Sequence, residues 1–259
     1  MIDPTAIPTG YPSLDRTLGG GFRTGDLIVL AGDAGSGTSS LSLAIALRAG
    51  VAGSLFLTSE MTSDRVAERA LTMEARVLLT DIRQSTLSEE DEDNVAAAAA
   101  RLRLQAPIVR TLLGGGSTEV AKHVGELPDV RLVIVDGLEA LMTQADHRDD
   151  HLAFAVQSLK RLALAAQVAV VLVTHLPQFD RQRQDRRPRL DDLGVRGTLA
   201  IHADLILGLY REELYMADMA VEGASELLIL KRRDGAPGYV DLFFYPQWLR
   251  FEDVLETVG

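Results

Sequence analysis

The chain has 259 residues, of which 47% are hydrophobic, and its lack of cysteine excludes a disulfide scaffold, a thiolate zinc site and a cysteine nucleophile. Its formal net charge of −11 argues against a basic shell that coats nucleic acid indiscriminately. Because no apolar stretch is long enough to span a bilayer and the N-terminus lacks the pattern of a signal peptide, we expect a cytoplasmic protein without a membrane partner.

Short aliphatic runs alternate along the chain with longer segments of helical period. The runs fall at 27–31, 54–58, 106–110, 132–136, 168–174 and 205–210. Apolar runs of this kind are typical of strands that are buried on both faces, and segments such as 41–48 and 152–162 have the spacing of amphipathic helices. The alternation predicts an α/β fold with a mostly parallel central sheet flanked by helices.

The alternation of aliphatic runs and helical segments ends after residue 210. Two β-rich runs at 225–230 and 239–245 flank a turn that contains glycine and proline. They predict a C-terminal antiparallel hairpin at the edge of the sheet. Since no repeat of fixed period and no long linker divides the sequence, we expect residues 1–259 to form a single domain.

A glycine-rich loop joins the first predicted strand to the helix that follows. Its spacing is that of the phosphate-binding loop G-x-x-x-x-G-K-[ST], except that Thr38 occupies the lysine position. Convergent backbone N–H groups at a helix N-terminus favour a bound phosphate, and the hydroxyl of Ser39 is a suitable ligand for Mg²⁺. We therefore expect ATP and Mg²⁺ to bind at Gly32, Gly35, Ser36, Gly37, Thr38, Ser39 and Ser40.

Two features of this loop oppose nucleotide turnover. Thr38 lacks the ammonium group that bridges the β- and γ-phosphates, and one charge-assisted hydrogen bond to a phosphate contributes about 1.5 to 3 kcal/mol. Asp33 adds a negative charge close to the expected anion. The alternative is a glycine turn that joins strand to helix and binds no ligand.

Two carboxylates follow other predicted strands. Asp136 ends the run 132–136, the position where an acidic residue is expected to bind Mg²⁺ together with Ser39. Glu60 follows the run 54–58 and is placed to polarise the attacking water. Each also has a structural interpretation, because an acid after a buried strand is common and Glu60 lies among residues that favour the start of a helix.

Several linked motifs resemble the ATPase domain of DnaB-type replicative helicases, which has the RecA-like P-loop fold. The motifs are Thr9–Arg16, Gly25–Ala31, Thr58–Met61 with Arg65 and Arg69, Asp192–Leu193 with Gly197, and Ala203–Leu207 with Tyr210–Arg211. The resemblance implies that Glu60 is the catalytic base. It also implies that Lys231 and Arg233 are catalytic residues that reach the nucleotide site of a neighbouring subunit in a ring.

The resemblance assigns a role to an arginine-rich segment. Residues 178–190 lie where that family has the loop that grips single-stranded DNA, so these arginines are expected to bind backbone phosphates. The alternative is a solvated loop whose arginines are balanced by neighbouring aspartates. His175 is expected to sense phosphate or DNA, and a structural histidine is its alternative. The expected DNA-binding residues are Arg181, Arg183, Arg186, Arg187 and Arg189.

The resemblance implies three candidate functions. One is a homo-oligomeric ring that hydrolyses ATP and moves along single-stranded DNA in replication or repair. Another is a non-catalytic adaptor or ring subunit, including a mixed ring in which this chain donates Arg233 to a competent helicase subunit. The third is a RadA-like accessory ATPase of recombination, which we expect less because these 259 residues contain neither the zinc-binding head nor the protease-like tail of that family.

Overall fold

The computed structural model describes residues 6–49, 53–141, 148–177, 179–216 and 221–254. Its helices are α1 (Pro12–Leu18), α2 (Thr38–Arg48), α3 (Ser63–Ala75), α4 (Leu79–Gln84), α5 (Glu89–Gln105), α6 (Gly116–Gly125), α7 (Arg148–Ala166) and α8 (Gly197–His202). Its strands are β1 (Leu27–Gly32), β2 (Ser54–Thr58), β3 (Ile108–Thr111), β4 (Leu132–Asp136), β5 (Ala169–His175), β6 (Leu205–Arg211), β7 (Ala224–Arg232), β8 (Gly238–Tyr245) and β9 (Arg250–Asp253).

These strands form one nine-stranded sheet in the order β3-β2-β4-β5-β1-β6-β7-β8-β9. The strands from β3 to β6 in this order are parallel, whereas β6, β7, β8 and β9 pair antiparallel. The predicted α/β fold with a mostly parallel sheet and a C-terminal hairpin, β7–β8, is confirmed. One strand was not predicted: β9 pairs with β8 and is the outermost strand on that side.

The two halves of the sheet differ in burial. All residues of β1, β2, β4 and β6 are buried, because helices cover both faces of the parallel half. On one face the core includes residues of α1, α2 and α3, and on the other it includes residues of α6, α7 and α8. In β7, buried and partly exposed residues alternate, which is the pattern of an antiparallel strand with one face toward solvent.

Strand register sets the position of the candidate site. Thr58 of β2 pairs with Asp136 of β4, and Gly32 of β1 pairs with His175 of β5. The carboxyl ends of these parallel strands therefore meet at one edge of the sheet, where ligands bind in open α/β sheets. Among the described residues, no helix is both long and apolar enough to cross a membrane.

Candidate functional site

The glycine-rich loop has the backbone that a phosphate site requires. Gly35 and Gly37 have φ angles of 82° and 99°, a left-handed conformation that residues with a side chain rarely adopt. Gly32 is needed for a different reason, since a Cβ there would lie 2.3 Å from Ser36 Oγ. The sequence therefore places glycine where the loop must turn and where its own side chains come close to the backbone.

Helix α2 begins at Thr38 and has no side-chain cap at its N-terminus. The first N–H groups of a helix have no partner within the helix, so those of Thr38, Ser39 and Ser40 can bind an anion. The buried Ser36 hydroxyl also has no hydrogen-bond partner among the described residues. This chemistry fits the predicted phosphate site, whose individual residues remain predictions.

Ser39 and Asp136 meet beside the loop. Ser39 Oγ donates a hydrogen bond of 2.9 Å to Asp136 Oδ1. The second oxygen, Oδ2, is buried without a hydrogen-bond partner among the described residues. Burial raises the pKa of Asp136 to about 6, and the negative charge of Glu60 acts in the same direction. A hydroxyl beside a carboxylate oxygen without a partner fits Mg²⁺, which prefers oxygen ligands.

The structure brings the side chains of Glu60, Asp136 and His175 to one cavity beside the phosphate loop. The cavity has a volume of about 20 Å³, which is room for about one water molecule. Glu60 packs close to Gly137, where a Cβ would lie 3.1 Å from Glu60 Oε1. A water held here would lie among both acids and the histidine. The cavity is lined by Thr38, Ser39, Glu60, Asp136, Gly137, Val173, Thr174 and His175.

Asp33 has a basic partner that the sequence did not reveal. Its Oδ2 lies 2.9 Å from Arg181 Nε, and Tyr215 Oη donates to the same oxygen at 3.1 Å. The backbone N–H of Ala34 donates to Oδ1 at 2.8 Å. The negative charge in the phosphate loop is therefore offset by a residue of the arginine-rich segment.

The arginines of residues 179–190 all have partners within the chain, and residue 178 lies outside the described residues. Their exposure differs: Arg183 has 16% of its side chain exposed, whereas Arg181 and Arg189 have 61% and 56%. Arg183 therefore supports the loop, and the other two are more accessible to a phosphate. The partners are Asp33 for Arg181, Asp192 for Arg183, the Arg181 carbonyl for Arg186, Glu226 for Arg187 and Asp185 for Arg189.

Three aromatic side chains form a group at the same loop. The rings of Phe179 and Tyr215 are 5.6 Å apart, and Tyr215 stacks on Tyr210 at 5.8 Å. The guanidinium groups of Arg183 and Arg187 lie over Phe179 and Tyr210, at 4.9 and 5.2 Å. The sequence showed Phe179 as the single aromatic residue of the segment. The two tyrosines come from β6 and the turn after it, so local spacing could not reveal the group.

Lys231 and Arg233 lie at the opposite end of the sheet from the phosphate loop. Lys231 Nζ donates to the carbonyl oxygens of Ala200 and Ala203 at 2.5 and 2.7 Å. Arg233 Nε lies 2.7 Å from Asp204 Oδ1, and 55% of the arginine side chain is exposed. Because the six residues of β1 span about 20 Å, neither residue reaches the phosphate loop of its own chain. A catalytic role for either would require a second subunit.

Comparison with known proteins places these features in a family. A family model described as DnaB-like helicase C terminal domain matches residues 6–253. Replicative DNA helicase DnaB of Leifsonia xyli subsp. xyli is 30% identical over 96% of this chain and 56% of that protein. Replicative DNA helicase DnaC of Bacillus subtilis is 26% identical over 96% of this chain and 57% of that protein. The chain thus spans little more than half the length of these relatives.

Solved structures show the same fold. One solved ATPase domain has a TM-score of 0.90 at 24% identity, with 96% of this chain and 92% of that chain covered. A DnaB-like replicative helicase, described with its interactions with primase, has a TM-score of 0.90 at 23% identity, with 96% and 62% covered. The RadB recombinase is less similar, with a TM-score of 0.58 at 20% identity and coverage of 96% and 99%. These likenesses confirm the predicted RecA-like fold.

Proposed function

This chain belongs to the family of DnaB-like helicase C-terminal domains, and from that premise we propose that residues 1–259 form one domain that binds ATP and Mg²⁺ at the phosphate loop. One observation carries the proposal: Ser39 and Asp136 are in contact at 2.9 Å beside the uncapped start of α2, while Asp136 Oδ2 has no partner among the described residues. A buried carboxylate oxygen without a partner costs free energy unless a ligand binds it.

Two protein ligands suffice for the proposed metal. In the part of the chain that the structure describes, no group of three His, Cys, Asp or Glu side chains could hold a metal ion. Mg²⁺ usually keeps several waters and is bound by one or two protein ligands together with phosphates. When bound, it neutralises charge that develops on the phosphates. Ser39 and Asp136 would hold this ion, Glu60 would orient and deprotonate the attacking water, and His175 would sense phosphate or DNA by hydrogen bonding.

We further propose that hydrolysis is weak or lost. Thr38 cannot supply the charge of the usual lysine, whose hydrogen bond to phosphate corresponds to about a ten- to hundred-fold effect on binding or rate. Neither Lys160 nor Lys231 replaces it, because both bind acceptors at the other end of the sheet. This favours the second candidate function, a non-catalytic adaptor or ring subunit.

The proposed partners are single-stranded DNA and further subunits. The exposed arginines of the proposed DNA-binding loop, residues 178–190, lie on the same edge of the sheet as the phosphate loop, as the pairing of Arg181 with Asp33 illustrates. Arg233 is more than half exposed at the opposite edge. A ring of like or mixed subunits would bring Lys231 and Arg233 of one subunit toward the nucleotide of the next, where they would stabilise the γ-phosphate.

The test is nucleotide binding and hydrolysis, with and without single-stranded DNA, by the wild type and Thr38→Lys. We expect the wild type to bind ATP weakly with little turnover, and Thr38→Lys to bind it about ten- to hundred-fold more tightly. Thr38→Ser is the matched control, because it keeps a hydroxyl and adds no charge. Strong DNA-stimulated hydrolysis by the wild type would rule out the adaptor. If Thr38→Lys gained no affinity, the assignment of the phosphate loop would be wrong.

A further inference from the structure

The contact between Asp33 and Arg181 joins the phosphate loop to the arginine-rich segment, which is the proposed DNA-binding loop. It is a two-point contact, with Arg181 Nε 2.9 Å from Oδ2 and Nη2 donating to Oδ1 at 3.0 Å. Tyr215 Oη donates to Oδ2 at 3.1 Å. Arg186 holds the other side of the contact, since its Nε donates to the Arg181 carbonyl at 2.8 Å. The two loops are therefore linked by side chains that are far apart in the sequence.

Arg181 cannot bind the Asp33 carboxylate and a DNA phosphate with the same N–H groups. The fork of N–H donors that holds the Asp33 carboxylate is the group that a DNA phosphate would bind. Because 61% of its side chain is exposed, Arg181 is accessible to such a phosphate. If a DNA phosphate binds Arg181, the partners left to Asp33 among the described residues are the Tyr215 hydroxyl and the Ala34 N–H. Its negative charge then acts on the adjacent anion site without compensation.

Building on the proposed function, we propose that Arg181 belongs to both sites and makes them antagonistic. Paired with Asp33, Arg181 lets the phosphate loop accept a nucleotide. Bound to a phosphate of single-stranded DNA, it leaves Asp33 to repel the nucleotide. By thermodynamic linkage the effect is reciprocal, so a bound nucleotide weakens DNA binding by the same factor.

Arg183, Arg187 and Arg189 do not create this coupling. Arg187 holds Glu226 of β7, and Arg183 holds Asp192, so DNA contacts with either leave the charge of the phosphate loop unchanged. Arg189 pairs with Asp185 inside the same segment. Arg186 supports Arg181 through its carbonyl and does not contact Asp33. The antagonism therefore rests on the direct pair of Asp33 and Arg181, which makes it open to a double-mutant test.

The first measurement needs no nucleotide. Binding of a fluorescent oligothymidylate at low ionic strength is compared between the wild type and Asp33→Asn. We expect Asp33→Asn to bind about two- to five-fold more tightly, because Arg181 no longer has an ionised partner. Glu89→Gln is the matched control, since it removes the same charge from the exposed first turn of α5. In the Arg181→Gln background, Asp33→Asn should give no gain.

The second measurement is the affinity for a fluorescent ATP analogue with and without saturating oligothymidylate. In the wild type, DNA should weaken nucleotide binding about five-fold, whereas in Asp33→Asn it should have no effect. Equal coupling in both proteins would overturn the inference. A chain that binds no nucleotide would defeat the proposed function and the antagonism together. The first measurement separates the two failures, because unchanged or absent DNA binding by Asp33→Asn would overturn the shared role of Arg181 whether or not a nucleotide binds.

Discussion

Two buried carboxylates lie at opposite ends of the central sheet and differ in how completely they are bonded. Both oxygens of Asp204 have partners: Oδ2 accepts from Leu27 N at 2.8 Å and from Lys160 Nζ at 2.5 Å, and Oδ1 lies 2.7 Å from Arg233 Nε. With three donors on two oxygens, this acid connects β1, α7, β6 and the turn after β7. The Asp204 carboxylate therefore stabilises the fold.

Asp136 is more deeply buried than Asp204, with 1% exposure against 5%, yet it is bonded on one side only. Ser39 donates to Oδ1, and Oδ2 has no partner in the described part of the chain. A buried charge that is incompletely paired lowers stability. The comparison teaches that one end of the sheet uses its acid to stabilise the fold, while the other keeps an acid in a costly state that suits a ligand.

The largest expected effect on stability comes from removing the carboxylate of Asp204. Asp204→Ala leaves Lys160 without its anionic partner and the N–H of Leu27 without its acceptor, so we expect the free energy of unfolding to fall by about 3 kcal/mol in urea titrations. Asp204→Asn should cost less, because its carbonyl oxygen can still accept the hydrogen bond from Leu27. A loss below about 1 kcal/mol for Asp204→Ala would show that these contacts are not structural.

The opposite sign is expected at the other end. Because burial raises the pKa of Asp136 from 3.8 to about 6, the folded state binds this proton more tightly than the unfolded state. The stability that this group contributes is therefore present below its unfolded pKa and is lost as pH rises through about 6. Asp136→Asn removes the cost of the ionised form, so we expect a gain on the order of 2 kcal/mol at pH 7.

The check for Asp136→Asn is a pair of urea titrations, one below and one above the pKa of Asp136. The gain over the wild type should shrink at the lower pH. Part of the pH dependence should remain in the variant, since burial also raises the pKa of Asp26 to about 6. A variant less stable than the wild type at pH 7 would refute the interpretation of Asp136 as an incompletely bonded acid.

The smallest effect is expected for Arg233→Gln. Its pair with Asp204 is exposed on the arginine side, and pairs of this kind contribute about 0 to 1 kcal/mol. Urea titration should therefore give a smaller loss than for Lys160→Gln, whose ammonium group also holds the Gly25 carbonyl at 2.8 Å. Equal losses would indicate that Arg233 is structural, which would weaken its proposed role at a neighbouring subunit.

The sequence predicted the parallel half of the fold well, because strands buried on both faces are written as continuous aliphatic runs. It missed β9, since three of the four residues of Arg250–Asp253 are charged. That strand forms through distant contacts: Tyr11 Oη donates to the Phe251 carbonyl at 3.4 Å, and Ser13 N donates to Asp253 Oδ2 at 2.6 Å. Tertiary contacts of this kind leave no local pattern.

The candidate site divides in the same way. Ser39, Glu60 and Asp136 could be predicted to lie together, because the carboxyl ends of parallel strands meet at one edge. The pairing of Asp33 with Arg181 joins residues 148 positions apart, and no spacing rule relates them. The sequence showed both charges but not their contact. It therefore indicated that the charge of Asp33 opposes anion binding, whereas in the structure Arg181 offsets that charge.

The topology also has a consequence for synthesis on the ribosome. β1 occupies the centre of the sheet, and both of its hydrogen-bonded neighbours come late in the chain: Leu27 pairs with Val170, and Ile28 pairs with Leu205. Pairings between such distant segments form slowly. The strand that precedes the glycine loop therefore stays apolar and unpaired until β5 and β6 have been translated, and during that interval it is a segment that favours aggregation.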